Sequence, residues 1–168
     1  MLQPMSRVNG GSENDMLIVQ TNLAITYEAL GRDEEALEMK RDVYFGFVKL
    51  LGMQDDCTLK AANNYAISLI NLQRFEEAKA LFLKVLPVAR RVLGNSNDTM
   101  LRMRSLYAQS LYRDGAATLG DLREAVETIE ETKRTARRLL GGAHPIVAAI
   151  EGDLQDARAT LQAREHSL

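Results

Sequence analysis

Catalysis needs reactive side chains gathered at one point, and this sequence scatters them. His144 precedes Pro145 as a turn residue does, and His166 lies in a polar stretch at the C-terminal end. Neither has cysteines or carboxylates nearby at metal-ligand spacing, so neither a metal nor a cofactor is expected. The pairs Glu34-Glu35, Glu76-Glu77 and Glu130-Glu131 contain acids suited to proton transfer. Consecutive helical residues, however, point about 100° apart, so each pair reads as solvated helix surface. Gly115 and Gly120 flank an irregular stretch and do not follow a strand, which excludes a phosphate-binding loop. Cys57 is the sole cysteine; it rules out an internal disulfide and reads as a turn residue. Arg90-Arg91 and Lys133, Arg134, Arg137 and Arg138 fall late in their helices, where positive charge suits the helix dipole without any nucleic-acid ligand. No enzyme is read from these residues.

The elements that would position a binding surface are repeated. Ala24, Ala66 and Ala108 stand 42 residues apart, in Asn22-Leu23-Ala24, Tyr65-Ala66 and Tyr107-Ala108. Ala36 and Ala78 keep the same shift, as do Leu51-Gly52 and Leu93-Gly94. A period of this length marks a solenoid of helical pairs. In repeat one, the three- and four-residue spacing of Leu17, Leu23, Ala24, Tyr27 and Leu30 predicts one packed helix face. Gly31 ends that helix and Asp33 is expected to cap the next. Repeat two predicts helices over 58–72 and 75–93, with a kink and no break at Pro87. In repeat three the second alanine is Ala125, five residues late. The insertion falls in 114–120, and Asp121-x-x-Glu124 restarts the helix as a capping box.

The expected boundaries are 16–57, 58–99 and 100–144 for the three repeats, a capping helix over 145–163 opened by Pro145, and a tail over 164–168. Residues 1–15 read either as a flexible tail or as the stub of an earlier repeat, since Arg7-Val8-Asn9-Gly10 echoes Arg91-Val92-Leu93-Gly94. The class is all-α, a superhelix of about seven helices in antiparallel pairs. A 46% hydrophobic content supports a sizeable core in a chain of 168 residues. The formal net charge of −2 argues against bulk electrostatic attraction to nucleic acid or membrane. No stretch matches a signal peptide or a bilayer span, so a cytoplasmic location is expected.

The side chains distinguish between repeat types. The tetratricopeptide pattern places small residues at close helix crossings and bulky ones beside them. Repeat two carries Tyr65-Ala66, Leu69, Ala78 and Phe82; repeat three carries Tyr107-Ala108, Leu111, Ala125 and Ile129; repeat one has Lys40 where the aromatic belongs. Leu51-Gly52, Thr58-Leu59 and Asn63-Asn64-Tyr65-Ala66 together resemble the long tetratricopeptide repeat of the kinesin-light-chain and nephrocystin-3 type, and Gly141-Gly142-Ala143-His144-Pro145 keeps that family's His-Pro turn. Elsewhere the pattern departs: Asp55-Asp56 and Asn97-Asp98 replace His-Pro, and Thr21-Asn22 and Ser105-Leu106 replace the Asn pair. The resemblance covers roughly 10–160. The coiled coil with which a kinesin light chain joins its motor is not present in this sequence.

The resemblance implies a right-handed superhelix whose first helices line a concave groove. It places Asn22, Lys60, Asn63, Asn64, Ile67, Asn71, Arg102, Gln109 and Arg113 there, beside Ile70, Ser105 and Tyr112. An amide side chain both donates to and accepts from a peptide backbone, so this set suits an extended segment of a protein partner. Lys60, Arg102 and Arg113 in the middle, against Glu28, Asp153 and Asp156 at the ends, suggest an acidic ligand centre. The expected function is a non-enzymatic adaptor or scaffold, monomeric or weakly self-associating. The alternative is a structural, self-associating segment of a larger array, for which Leu17, Leu23 and Tyr27 would provide an open apolar face.

Overall fold

The computed structural model describes residues 6–167, with side chains from residue 12 onward. Seven helices and no strand occur among them: α1 (Ser6–Ala29), α2 (Asp33–Leu51), α3 (Asp56–Asn71), α4 (Phe75–Leu93), α5 (Asp98–Tyr112), α6 (Leu119–Leu140) and α7 (Pro145–His166). The chain divides into two compact units, Met1–Ser68 and Leu69–Leu168, so α3 runs from one into the other. In the first unit α1 packs on α2. In the second, α5 packs on α4 and α6, and α7 packs on α6 and α5.

The repeated alanines are the fixed points. Ala24 and Ala36 are completely buried on α1 and α2, as are Ala108 and Ala125 on α5 and α6, and Ala66 and Ala78 have no exposure either. A methyl group is what lets paired helices approach closely at these positions. Larger side chains complete each unit. Tyr44 stacks on Tyr65 at 6.1 Å in the first, and Phe82 meets Tyr107 edge-on at 6.3 Å in the second. Leu17 lies over Gly46, where a β-carbon would come within 2.6 Å of a Leu17 methyl group.

Helix ends follow the repeat. Gly52, Gly94 and Gly141 terminate α2, α4 and α6 at φ of 85°, 73° and 82°. With ψ of 169°, 174° and 156°, this is backbone space that essentially only glycine occupies. Arg32 and Arg74, also 42 residues apart, each grip the carboxylate three residues on, Glu35 and Glu77, in a two-pronged pair. His144 accepts from the Ile146 amide at 3.1 Å, and Pro145 opens α7 in the first turn. Helix α4 is unbroken through Pro87.

Several expectations need correction. Helix α1 begins at Ser6, not near Met16, so residues 6–15 run on into the first helix of repeat one, and no proline interrupts Ser6–Ala29 to stop it; residues 1–5 of the expected tail or stub lie outside the described residues. Helix α7 continues three residues past Ala163. Asp33 is the first helical residue instead of the cap, and Arg32 holds the cap position without a side-chain cap bond. Asp33, Glu34 and Glu35 still place negative charge at the positive end of α2. Leu23 and Leu30 are exposed, at 40% and 67%, because no described element covers that side of α1. The capping box of α6 is Thr118 with Asp121, not Asp121 with Glu124. Thr118 Oγ1 accepts from the Asp121 amide at 3.1 Å, and Asp121 Oδ2 accepts from the Thr118 amide at 2.9 Å. Helix α6 therefore starts inside the stretch expected to be a loop. Arg164 holds the remaining loop by donating to the carbonyls of Ala117 (2.7 Å) and Gly115 (3.2 Å).

Two measurements test this packing. Replacing the buried Ala108 by leucine should cost about 1–3 kcal/mol of unfolding free energy in denaturant titration. A value within about half a kcal/mol, as for surface changes, would remove Ala108 from the α5 interface. The second is pH dependence. Hydrogen bonds from Lys79 (2.8 Å) and then Thr118 pull the Asp121 carboxyl down to about 2 from an ordinary 3.8. A lowered folded value contributes stability above the unfolded value, and that contribution disappears as pH falls from about 4 through 2. Partial solvent access limits it to about 1 kcal/mol. Asp121→Asn should lower stability at neutral pH and flatten the loss below pH 4.

Candidate functional site

On the first unit, α1 and α3 carry the amides expected to line a groove. Asn22 is exposed; Asn63 and Asn64 are half-buried beside a half-buried Ile67. The Asn63 Oδ1 atom is shielded from solvent without a hydrogen-bond partner. Such an acceptor forgoes hydration with nothing in exchange. Ile18 and Ile25, at 44% and 51% exposure, stand one turn either side of Asn22 on α1. On α1, an amide and exposed apolar groups thus share a surface. Lys60 is exposed and paired with Asp56 at 2.5 Å, one turn away on its own helix; hydrogen bonding to Asp56 raises its pKa.

The N-terminal charge expected there is cancelled. Glu28 takes the ammonium of Lys40 at 2.5 Å and accepts the Ser68 hydroxyl proton, while Lys40 also donates to Ser68 Oγ at 2.8 Å. Lys40 is 5% exposed, and burial of an ion is tolerable only because both partners meet it. The lysine in the aromatic position of repeat one was the sign of this network. Ile70, expected as an apolar anchor on the surface, is instead core at 1% exposure.

On the second unit, Asn71, Arg102 and Arg113 are exposed. The Arg113 guanidinium lies 5.8 Å from the Phe75 ring centre. Gln109 is committed internally: its Nε2 donates to Asp153 Oδ2 at 3.0 Å and Oδ1 at 3.2 Å. Asp153 of α7 also accepts from Ser105 and from Tyr112, the latter at 3.2 Å. Burial first, then the Asp153 carboxylate, pushes the Tyr112 hydroxyl pKa upward and keeps it a donor. Three expected groove residues on α5 therefore serve to hold α7, a role that local periodicity does not reveal.

The remaining reactive groups are occupied or quiet. Glu130 pairs with Arg158 and Glu131 with Arg104, each at 2.6 Å. Lys133 and Arg137 both approach Glu151. Partial burial, then Asp55, raises the Cys57 thiol pKa, away from the reactive thiolate. Among the described residues no group of three His, Cys, Asp or Glu could hold a metal ion, and no helix is long and apolar enough to cross a membrane.

Replacing Asp153 by alanine should cost about 2 kcal/mol, since it strands the buried Tyr112 hydroxyl along with two other donors. Gln109→Ala should cost clearly less, because its amide is only half-buried. Equal losses in thermal or chemical unfolding would contradict a hub at Asp153.

Residues 58–98 match the family model described as tetratricopeptide repeat. No curated protein matches the chain. Among solved structures, two of a Podosopora anserina protein described as a kinesin light chain with nearly identical TPR-like repeats superpose with TM-scores of 0.73, for a single-substitution variant, and 0.70. Both are 23% identical, over 89% of this chain and 68% and 69% of theirs. BtubC (BKLC) from P. vanneervenii superposes at 0.67 with 17% identity, over 93% of this chain and 66% of its own. Tetratricopeptide repeats are in general protein-interaction modules without enzymatic activity. Residues 58–98 are thus a tetratricopeptide repeat, and the chain has the fold of kinesin-light-chain-like tetratricopeptide repeat proteins.

Proposed function

We propose that this chain is a non-enzymatic adaptor that holds an extended segment of a protein partner, and that the face formed by α1 and α3 in the first unit is where it does so. The observation that carries this reading is the set of uncommitted amides: the hidden, unpartnered Asn63 Oδ1, with Asn22 and Asn64 one turn from Ile18, Ile25 and Ile67. Amides of this kind satisfy the N–H and C=O groups of an extended backbone whatever its side chains, and the isoleucines supply apolar contact. Asn22 and Asn64 occupy the same place in successive repeats, 42 residues apart, as suits a ligand running across neighbouring helices. The exposed Asn71, Arg102 and Arg113 of the second unit are further contact candidates. Gln109 is not, because Asp153 holds it.

The charge pattern narrows the ligand. Glu28 is neutralised by Lys40 and Lys60 is partnered by Asp56, so the first unit offers a face of little net charge. Arg102 and Arg113 favour an acidic stretch in whatever part of the partner reaches them.

The test is capture of partners on the immobilised chain, followed by titration of the captured segment against variants. Asn64→Ala should weaken binding by roughly 1–2 kcal/mol and leave thermal unfolding nearly unchanged. Arg113→Glu should weaken an acidic segment, most strongly at low salt. If Asn64→Ala binds as the parent does, the face of α1 and α3 is not the working surface.

A further inference from the structure

Among the described residues, five of the eleven exposed large hydrophobic side chains lie on α1, Met16, Ile18, Val19, Leu23 and Ile25, and a sixth, Leu30, directly follows its last residue. Ile18 and Ile25 belong to the face discussed above. The other four form a separate stripe, spaced by three, four and seven residues along one side of the helix. Their exposures are 59% (Met16), 64% (Val19), 40% (Leu23) and 67% (Leu30).

The repeat shows what such a stripe is built to meet. Positions 16, 19, 23 and 26 of α1 correspond, at shifts of 42, to Thr58, Ala61, Tyr65 and Ser68 of α3 and to Met100, Met103, Tyr107 and Ser110 of α5. Seven of those eight residues are buried, and Tyr65 is half-buried. Each tyrosine lies against the second helix of the preceding repeat, Tyr65 on Tyr44 and Tyr107 on Phe82. In α1 the same register is uncovered, although Met16, Val19 and Leu23 are large and apolar there.

We propose that this face pairs with the same face of a second copy, α1 against α1 in antiparallel fashion about a two-fold axis. Each α1 then does for the other what α2 does for α3. Three observations select a second copy. Residues 16–27 contain no charged side chain, so two copies approach without like-charge repulsion or an ion to desolvate. A two-fold contact needs one self-complementary patch, and an uncharged stripe of Met, Val and Leu is one. A head-to-tail stack is disfavoured: α7 buries Val147, Ile150, Leu154 and Ala157 inside its own unit, while its opposite side shows Ala148, Gly152, Gln155 and Ala159, with no large apolar group to meet the stripe. This pairing is independent of the peptide-binding reading, since it uses the other side of α1.

Sedimentation equilibrium on the purified chain tests it. The apparent mass should rise with concentration from 18.7 kDa toward about twice that value. Leu23→Glu and Val19→Glu should weaken association by about tenfold or more. Both residues are exposed in the single chain, so its helical circular dichroism should be retained. Phe45→Glu, at an exposed apolar residue of α2, should leave association unchanged. A second readout does not depend on the charged variants folding: in a Cys57→Ser background, Val19→Cys should give disulfide-linked dimers on mild oxidation, and Leu83→Cys should not. A monomeric mass at every concentration would overturn the proposal and leave the stripe for a helix of another protein. So would an association that Leu23→Glu does not alter.

Discussion

The architecture depends on side-chain size at a few helix crossings. A solenoid repeat has no core of its own until its helices lie close enough to exclude water, and the distance of closest approach is set by the smallest residues between them. Ala24 with Ala36, and Ala108 with Ala125, hold that distance at a methyl group on each side. Everything else is arranged around it: aromatic and aliphatic groups fill the space beside each crossing, and glycines turn the chain sharply enough for the next helix to return. The tolerance is asymmetric. Insertions are absorbed between the crossings, as the five added residues of repeat three show in a longer loop and an earlier start of α6, whereas the crossings cannot absorb even a side chain's growth without strain.

This explains what could be read from the sequence. Alanines at a 42-residue shift, Leu-Gly helix ends and the position of the insertion are local marks of a packing constraint, and all six alanines are buried as that constraint requires. What escaped depends on pairings across the fold. Thr118-x-x-Asp121 and Asp121-x-x-Glu124 both fit a capping box. The choice fell to the first, in which Asp121 serves the cap and Lys79 together. Helical periodicity shows that Leu23 and Leu30 share a face with other apolar residues, but it does not say whether anything covers that face. The resemblance likewise placed Gln109 and Tyr112 beside a groove without showing that Asp153, some forty residues on, would claim both.

The candidate site follows the same division. Which residues share a face of α1, α3 or α5 is a matter of register; Asn22, Arg102 and Arg113 are exposed where the register puts them, whereas Ile70, Ser105 and Tyr112 are buried. Which of them are free to bind is a matter of long-range partners. The sequence suggested a groove charged at its ends and cationic in the middle. In the fold, Lys40 cancels Glu28, Asp56 holds Lys60, and Asp153 is occupied by three donors. The amides of the first unit remain, and Arg102 and Arg113 stay exposed on the second, so backbone hydrogen bonding joins charge in the proposed recognition.

The connectivity of the contacts has a mechanical consequence. Within the second unit, the hydrogen bond from Arg164 to the loop carbonyl of Gly115 spans 49 residues, and the other side-chain contacts described above span fewer. A chain so connected can fold quickly, because closing its contacts never requires bringing distant segments together. Within each unit the described contacts join helices that are near neighbours along the chain. Pulled by its ends, it should extend by shedding helices one after another at modest force and rewind when the load is released, behaving as a soft spring.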